Sequence, residues 1–536
     1  VSLCRPGGRA LRRTGGVSSG PLPLLSTLNE IGRNVMQGGS RRSALYGSLS
    51  ASHGDIWDFL HYKNWHDRKI AGSDMTIADA KKADFNYPAP LDMMNISTNY
   101  SDEWLHGIDN EVFMENCKQA LMTGEPGFSF NFGDKQGETL RNACTEITSF
   151  SSQDVCNIGS LNMANIDTPE DFKDIVHLAS KFLVCGLIRA EVPSQKIEMV
   201  RQKNSRLGLG LMGMHEWLLK RNYKYEMNRD LGRWLNIYES ESEKAANEHC
   251  DRLFLNRPKG YRAIAPTGTI SIIAGASSGI EPLFALSYVR SVMDNTKLVE
   301  GNPYFEAVAR QEGFYSQELM EDLAQTGSLE HLDIPEWVKD VFRVSHDIEP
   351  DWHVKMQGAV QEFVDNSVSK TINFPHSAPP EDIAEAYTLA YELGCKGITI
   401  YRDGSKENQV LSTGETTKSP EFNNLADLSH LTPRGRPRKM TGQTERIRTG
   451  HGNLFITINY DDSGQPFEVF TTLGKAGGCD SAQLEAISRL VSIALRSGVD
   501  PQELVTQLRG ITCCPSWDSG VLVRSTPDAV ALALSH

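Results

Sequence analysis

Asn142, Cys144 and Glu146 alternate along the chain, and a second thiol, Cys156, follows Cys144 by twelve residues. In an extended segment, residues i, i+2 and i+4 share a face. The spacing therefore predicts an amide, a thiol and a carboxylate converging on one small ligand. The interval to Cys156 is long enough for a loop to return the second thiol to the same place. Thiol, amide and carboxyl together suit hydrogen-atom or proton chemistry on a hydroxylated substrate. A cysteine met alone is more often a buried apolar residue, and neighbours at ±2 weaken that reading only modestly.

Two further segments carry residues suited to anions. Pro266-Thr267-Gly268-Thr269-Ile270-Ser271 combines small residues, hydroxyls and backbone N–H groups. A helix starting near Ser271 would aim its N-terminus at a phosphate, although an ordinary strand-to-helix turn has the same composition. Gln37-Gly38-Gly39-Ser40-Arg41-Arg42 follows a helical periodicity over 22–36 and offers two guanidinium groups for phosphate or base contacts. A solvated surface loop would also look like this. Gly208-Leu209-Gly210-Leu211-Met212-Gly213 matches a dinucleotide fingerprint in letters only. The residues before it are polar where a strand is needed, and 216–226 reads as helix. These glycines are read as sites of close helix packing.

The elements that must position these groups follow an α/β pattern. Residues 160–405 alternate helical stretches, such as 228–250 and 380–394, with short β-like runs at Ala263-Ile264 and Ile398-Thr399-Ile400. Periodicity is lost over 406–440, which reads as a linker. Beyond it, Leu454–Ile458 and Phe467–Phe470 flank the hairpin signal Asp461-Asp462-Ser463-Gly464, and 482–497 is amphipathic. This predicts a small α+β domain over 441–536 after a larger α/β domain over 1–405. The chain has 536 residues, 39% hydrophobic content and a net charge of −14. The charge argues against a broad nucleic-acid surface, so Arg434-Gly435-Arg436-Pro437-Arg438-Lys439 is read as a basic linker and not as a minor-groove hook. No apolar run reaches the ~20 residues of a membrane span. The ten cysteines are scattered through a long chain, which points to a reducing, cytoplasmic setting. No metal site is assigned. Cys479, Cys513 and Cys514 are too few regularly spaced ligands, though His451 would complete a three-sulfur, one-nitrogen set.

Asn-x-Cys-x-Glu followed by Cys-Asn-x-Gly-Ser-x-Asn resembles the active-site loop of the ribonucleotide reductases. The resemblance continues in order. Gly124-Glu125-Pro126-Gly127 precedes that loop, Pro266–Ser271 looks like the substrate-phosphate loop, and Ser277-Ser278-Gly279-Ile280-Glu281-Pro282 extends it. Lys396–Ser405 looks like the end of the catalytic region in the adenosylcobalamin-dependent branch, and 441–536 resembles that branch's small C-terminal domain. The resemblance implies a ten-stranded α/β barrel with Cys144 on a central finger loop. It implies that Cys144, as a thiyl radical, takes the ribose 3′-hydrogen, that Glu146 is the base for the 3′-hydroxyl, that Asn142 holds the substrate, and that Cys156 is half of the redox pair reducing the 2′-carbon. Pro266, Thr267, Gly268, Thr269, Ile270 and Ser271 would hold the substrate phosphates. Gln37, Gly38, Gly39, Arg41 and Arg42 would sense a dNTP or ATP effector. Adenosylcobalamin is the implied cofactor, thioredoxin or a similar dithiol the reductant, and a homodimer the assembly.

The resemblance places the second redox cysteine upstream of the first glycine-rich loop, where this chain starts. Cys4 falls inside that loop and is a poor substitute. The family's Cys-x-x-Cys tail would lie beyond His536. On this reading the chain is truncated at both ends. Two alternatives stand beside the main one. The oxygen-dependent branch relays its radical from a separate subunit through paired tyrosines, and this chain has no Tyr-Tyr dipeptide. A catalytically incomplete nucleotide-binding remnant is the other. Asp351-Trp352-His353 begins like a cobalamin motif in which His replaces the lower base, but Met356 stands where that motif needs glycine.

Overall fold

The structure is a computed structural model that describes residues 1–35, 43–84, 87–103, 110–133, 136–291, 297–402, 433–473 and 479–535. The chain forms two compact units, one of residues 1–31 and 44–418, the other of 32–43 and 419–536. The effector segment Gln37, Gly38, Gly39, Arg41 and Arg42, and most of the expected linker, lie outside the described residues.

In the first unit β1 (Leu45–Ser50), β2 (Met94–Ser101) and β3 (Gly127–Asn131) run parallel. The helix Asn110–Thr123 supplies the crossover between β2 and β3 that a parallel pair requires. A second parallel pair, β4 (Asn157–Asn162) and β5 (Leu207–Met212), is spanned by the helix Pro169–Arg189. β6 (Thr371–Phe374) pairs parallel with β7 (Gly397–Arg402) across the helix Pro380–Glu392. The two sets meet where β7 lies antiparallel to β3.

Residues 260–264 close the path between β5 and β6. Leu209 bridges Arg262 and Ile264 bridges Val368, both parallel. A continuous hydrogen-bonded route therefore runs from β1 through β2, β3, β7, β6 and residues 260–264 to β5 and β4. Two apolar clusters pack on it. One centres on Phe128, stacked on Tyr387 at 3.5 Å and on Tyr100 at 5.0 Å. The other packs Trp217, Trp234 and Tyr238 beside Leu209 and Leu211 of β5.

The second unit holds an antiparallel sheet of β8 (Thr441–Thr449), β9 (Gly452–Tyr460) and β10 (Pro466–Leu473), with the helix Cys479–Arg496 packed on β10. Arg434 pairs with Asp461 at 2.9 Å and Arg436 with Glu468 at 2.8 Å. Each of these two guanidinium groups thus has an acidic partner.

Candidate active site

The Asn142–Glu146 segment is a turn, where an extended strand was expected. Thr145 N donates to Asn142 O at 3.0 Å, and Thr145 takes φ 63°. Alternation therefore does not align the three side chains. The turn lifts Cys144 to an exposed tip and folds Glu146 inward, where it is 4% exposed. The stem is a short antiparallel pairing of Leu140–Arg141 with Thr148–Ser149. Asn142 Oδ1 accepts from Ile147 N at 3.0 Å, and Glu146 O accepts from Ser367 N at 2.8 Å, tying the turn to the segment that leads into β6. Gly397 allows this docking, because a Cβ there would stand 3.3 Å from Thr145 Oγ1 and 3.4 Å from Phe128 O.

Burial pushes the Glu146 carboxyl above its ordinary pKa, partly offset by a hydrogen bond from Asn142. Its Oε2 is buried and has no hydrogen-bond partner among the described residues. A buried acceptor without a donor is costly, so a ligand hydroxyl would be a favourable occupant. Desolvation and the nearby Glu146 charge both raise the Cys144 thiol. Cys156 lies just before β4, and burial raises its thiol strongly against the opposing pull of Arg206; the Glu146 carboxylate also acts on it. Both sulfurs thus stay protonated near neutrality, the form that has a hydrogen atom to give. Gly208 makes room for Cys156, since a Cβ there would sit 3.2 Å from its Sγ.

At Pro266–Ser271 the helix begins at Gly268, not near Ser271, and runs to Ala274. Thr267 stands at its N-cap with φ 53°, and Thr267 Oγ1 accepts from Gly279 N at 2.8 Å. Ser271 Oγ meets Ser278 Oγ at 3.0 Å. The Ser277–Pro282 segment is thereby stitched to the loop. Ile270, by contrast, is exposed.

The family model described as ribonucleotide reductase, barrel domain matches residues 1–103, 109–235 and 259–401. The chain belongs to this family. A model described as TSCPD domain matches residues 426–536. A vitamin B12-dependent ribonucleoside-diphosphate reductase of Thermoplasma acidophilum is 34% identical over 80% of the chain and 60% of its own length. One from Mycobacterium tuberculosis is 30% identical over 77% of the chain and 64% of its own length. The chain thus spans less than two thirds of these relatives. In structure it is similar to an Actinobacillus ureae class Id ribonucleotide reductase alpha subunit, with TM-score 0.60 and 21% identity over 75% of this chain and 76% of that one. The mixed α/β fold is that of the reductase family.

Several supports of these loops were not visible in the sequence. Asp154 accepts from Arg206 Nε at 2.9 Å and from Ser149 Oγ at 2.7 Å, while Arg206 reaches Asn366 at 2.9 Å. This buried network joins the stem of the Cys144 turn to the Cys156 segment. Lys370, fully buried, pairs with Glu281 and donates to His353 Nδ1 at 2.9 Å. His353 in turn meets Ser345 O at 3.1 Å and is fully buried, so it is unavailable as a cobalt ligand. Gly208 and Gly210 lie on β5 itself, and Gly213 follows it directly. Cβ atoms at Gly210 and Gly213 would stand 2.5 Å from Ala263 O and from Asn162 Oδ1. These glycines serve close strand and side-chain approach, where helix packing was expected.

Proposed function

We propose that the chain carries the catalytic region of an adenosylcobalamin-dependent ribonucleotide reductase, a cytoplasmic enzyme that reduces ribonucleotides to 2′-deoxyribonucleotides. The observation that carries this reading is the pairing of an exposed Cys144 with a buried, half-unpartnered Glu146 on one turn, with Cys156 within electrostatic reach. The fold is inferred to be a ten-stranded barrel with this turn as its central finger loop, and the continuous route from β1 to β4 supports it. The division into a catalytic region over 1–405, a linker over 406–440 and a small domain over 441–536 is part of the same proposal.

Asn142 and the Glu146 Oε2 acceptor would hold the ribose hydroxyls. The Cys144 sulfur, as a radical, would remove the 3′-hydrogen, and Glu146 would take the 3′-hydroxyl proton. The 2′-hydroxyl would leave as water, and Cys156 would supply one of the two thiols oxidised to a disulfide, to be re-reduced by thioredoxin or a similar dithiol. Pro266, Thr267, Gly268, Thr269, Ile270 and Ser271 would receive the phosphates, aided by N–H groups at the start of the Gly268–Ala274 helix. Gln37, Gly38, Gly39, Arg41 and Arg42 would read a dNTP or ATP effector, and the assembly would be a homodimer.

The residues fit adenosylcobalamin in one respect that the geometry can test. The thiol to be activated belongs to an exposed residue at the tip of its turn. Adenosylcobalamin would meet the loop at Cys144 and supply the initiating radical. In a form extended to the length of the relatives above, Cys144→Ser should abolish deoxynucleotide formation, assayed with adenosylcobalamin and a dithiol, while nucleotide binding survives. Normal turnover by that variant would sink the assignment.

A further inference from the structure

Three metal-donor side chains of the second unit meet one another. His451 lies on the turn between β8 and β9, and Cys513 and Cys514 lie in the loop that follows the helix Pro501–Leu508. His451 Nε2 is 3.2 Å from Cys513 Sγ. The imidazole nitrogen and the two sulfurs fall within 4.8 Å of one another, and all three residues are exposed. Ligands at zinc-bond lengths around one tetrahedral ion lie roughly 3.3–3.8 Å apart, so modest side-chain rotation closes this set onto a single cation.

The backbone is built to hold the two loops together. A Cβ at Gly450 would stand 2.1 Å from Cys514 O and 2.4 Å from Cys514 Cβ, so only glycine lets the turn seat against the cysteine pair. Thr449 Oγ1 accepts from His451 N at 3.2 Å and donates to Gly452 O at 2.9 Å, fixing the turn. Asp528 braces the other loop, accepting from Gly510 N at 2.8 Å at its start and from Arg524 N at 2.9 Å beyond the hairpin that follows it. Cys513 N donates to Arg524 O at 3.1 Å. The sulfurs are free thiols.

We propose that His451, Cys513 and Cys514 bind one zinc ion. Two thiolates and an imidazole form a soft donor set that selects zinc over magnesium or calcium. A water or an added thiol would fill the fourth position. Binding displaces the thiol protons, so the step releases about two protons per ion. The inference stands on the second unit alone and does not depend on the proposed reduction.

The test uses the 536-residue chain, purified under a phosphine reductant, with metal content read by mass spectrometry and zinc and cobalt(II) titrated into the metal-free protein. Expected are one ion per chain, thiolate-to-cobalt charge-transfer absorption and proton release on zinc addition. His451→Ala and Cys513→Ser should lose the stoichiometric ion and the charge-transfer band, while Cys185→Ser, at an exposed thiol of the other unit, keeps both. His451 sits on an exposed turn, so His451→Ala carries the test if the cysteine variant unfolds. No uptake by the reduced protein, uptake unchanged in His451→Ala, or a Cys513–Cys514 disulfide in protein prepared under reductant would overturn the proposal.

Discussion

At Glu146 the residue that should do the proton transfer is also one that destabilises the fold at neutral pH. Burial raises its pKa, so the folded chain holds this proton more tightly than the unfolded chain does. Its contribution therefore favours the fold below the ordinary carboxylate value of 4.5 and is lost as pH rises through the raised folded value. Glu146→Gln keeps the shape, removes the proton acceptor and escapes that penalty. The variant should lose about two to four decades in rate, the usual span for general base catalysis. At neutral pH it should melt no lower than the parent, and its stability should vary less between acid and neutral pH. A matching fall in rate and melting temperature would assign Glu146 a structural role instead. The sequence showed which residue types to watch here. It did not show their arrangement, because alternation assumes a strand, and a left-handed Thr145 makes a turn. Asp154, Arg206 and Lys370 were invisible, since their partners come from segments far along the chain.

At the scale of elements, the glycines of β5 and the Glu281 segment set how closely the parts approach. Gly210→Ala would force a Cβ to within 2.5 Å of a backbone oxygen, an overpacking that should cost ~1–3 kcal/mol in urea unfolding. Gly208→Ala meets a side-chain sulfur at 3.2 Å instead. It should cost less stability and more rate, because a small misplacement of a reacting group weighs heavily on rate. Equal stability losses with no rate difference would show that β5 does not position Cys156. Glu281→Gln leaves the buried Lys370 ammonium without a carboxylate, and loss of one partner of a buried pair costs ~3–5 kcal/mol. The double variant Glu281→Gln/Lys370→Met should recover part of that loss. Additive losses in this cycle would mean that the two residues do not stabilise one another. Long amphipathic helices were legible from their period, as at 229–252 and 380–392. The start of the Gly268 helix was not, because small residues and hydroxyls specify neither the cap nor the register.

At the scale of the whole molecule, the second unit was the easier to read. Its hairpin signal and amphipathic helix depend on local periodicity, and β9, β10 and the helix Cys479–Arg496 lie where that periodicity put them. The first unit's route of strands depends on pairings such as β3 with β7, between segments far apart in sequence, which no local pattern encodes. The radical source is likewise a property of the assembled molecule. In the oxygen-dependent branch paired tyrosines pass a radical between subunits, and this chain has no Tyr-Tyr dipeptide. Tyr401 is a single residue at the end of β7. Cys144, by contrast, is exposed at its loop tip and open to a small organic radical generated beside it. In a form extended to the length of the relatives, turnover should therefore require adenosylcobalamin and no second protein, and Tyr401→Phe should leave the rate within severalfold of the parent. The decisive comparison adds either adenosylcobalamin or an iron- or manganese-containing partner protein to otherwise identical assays. Reduction restored by the partner alone, and abolished by Tyr401→Phe, would move the chain to the oxygen-dependent branch.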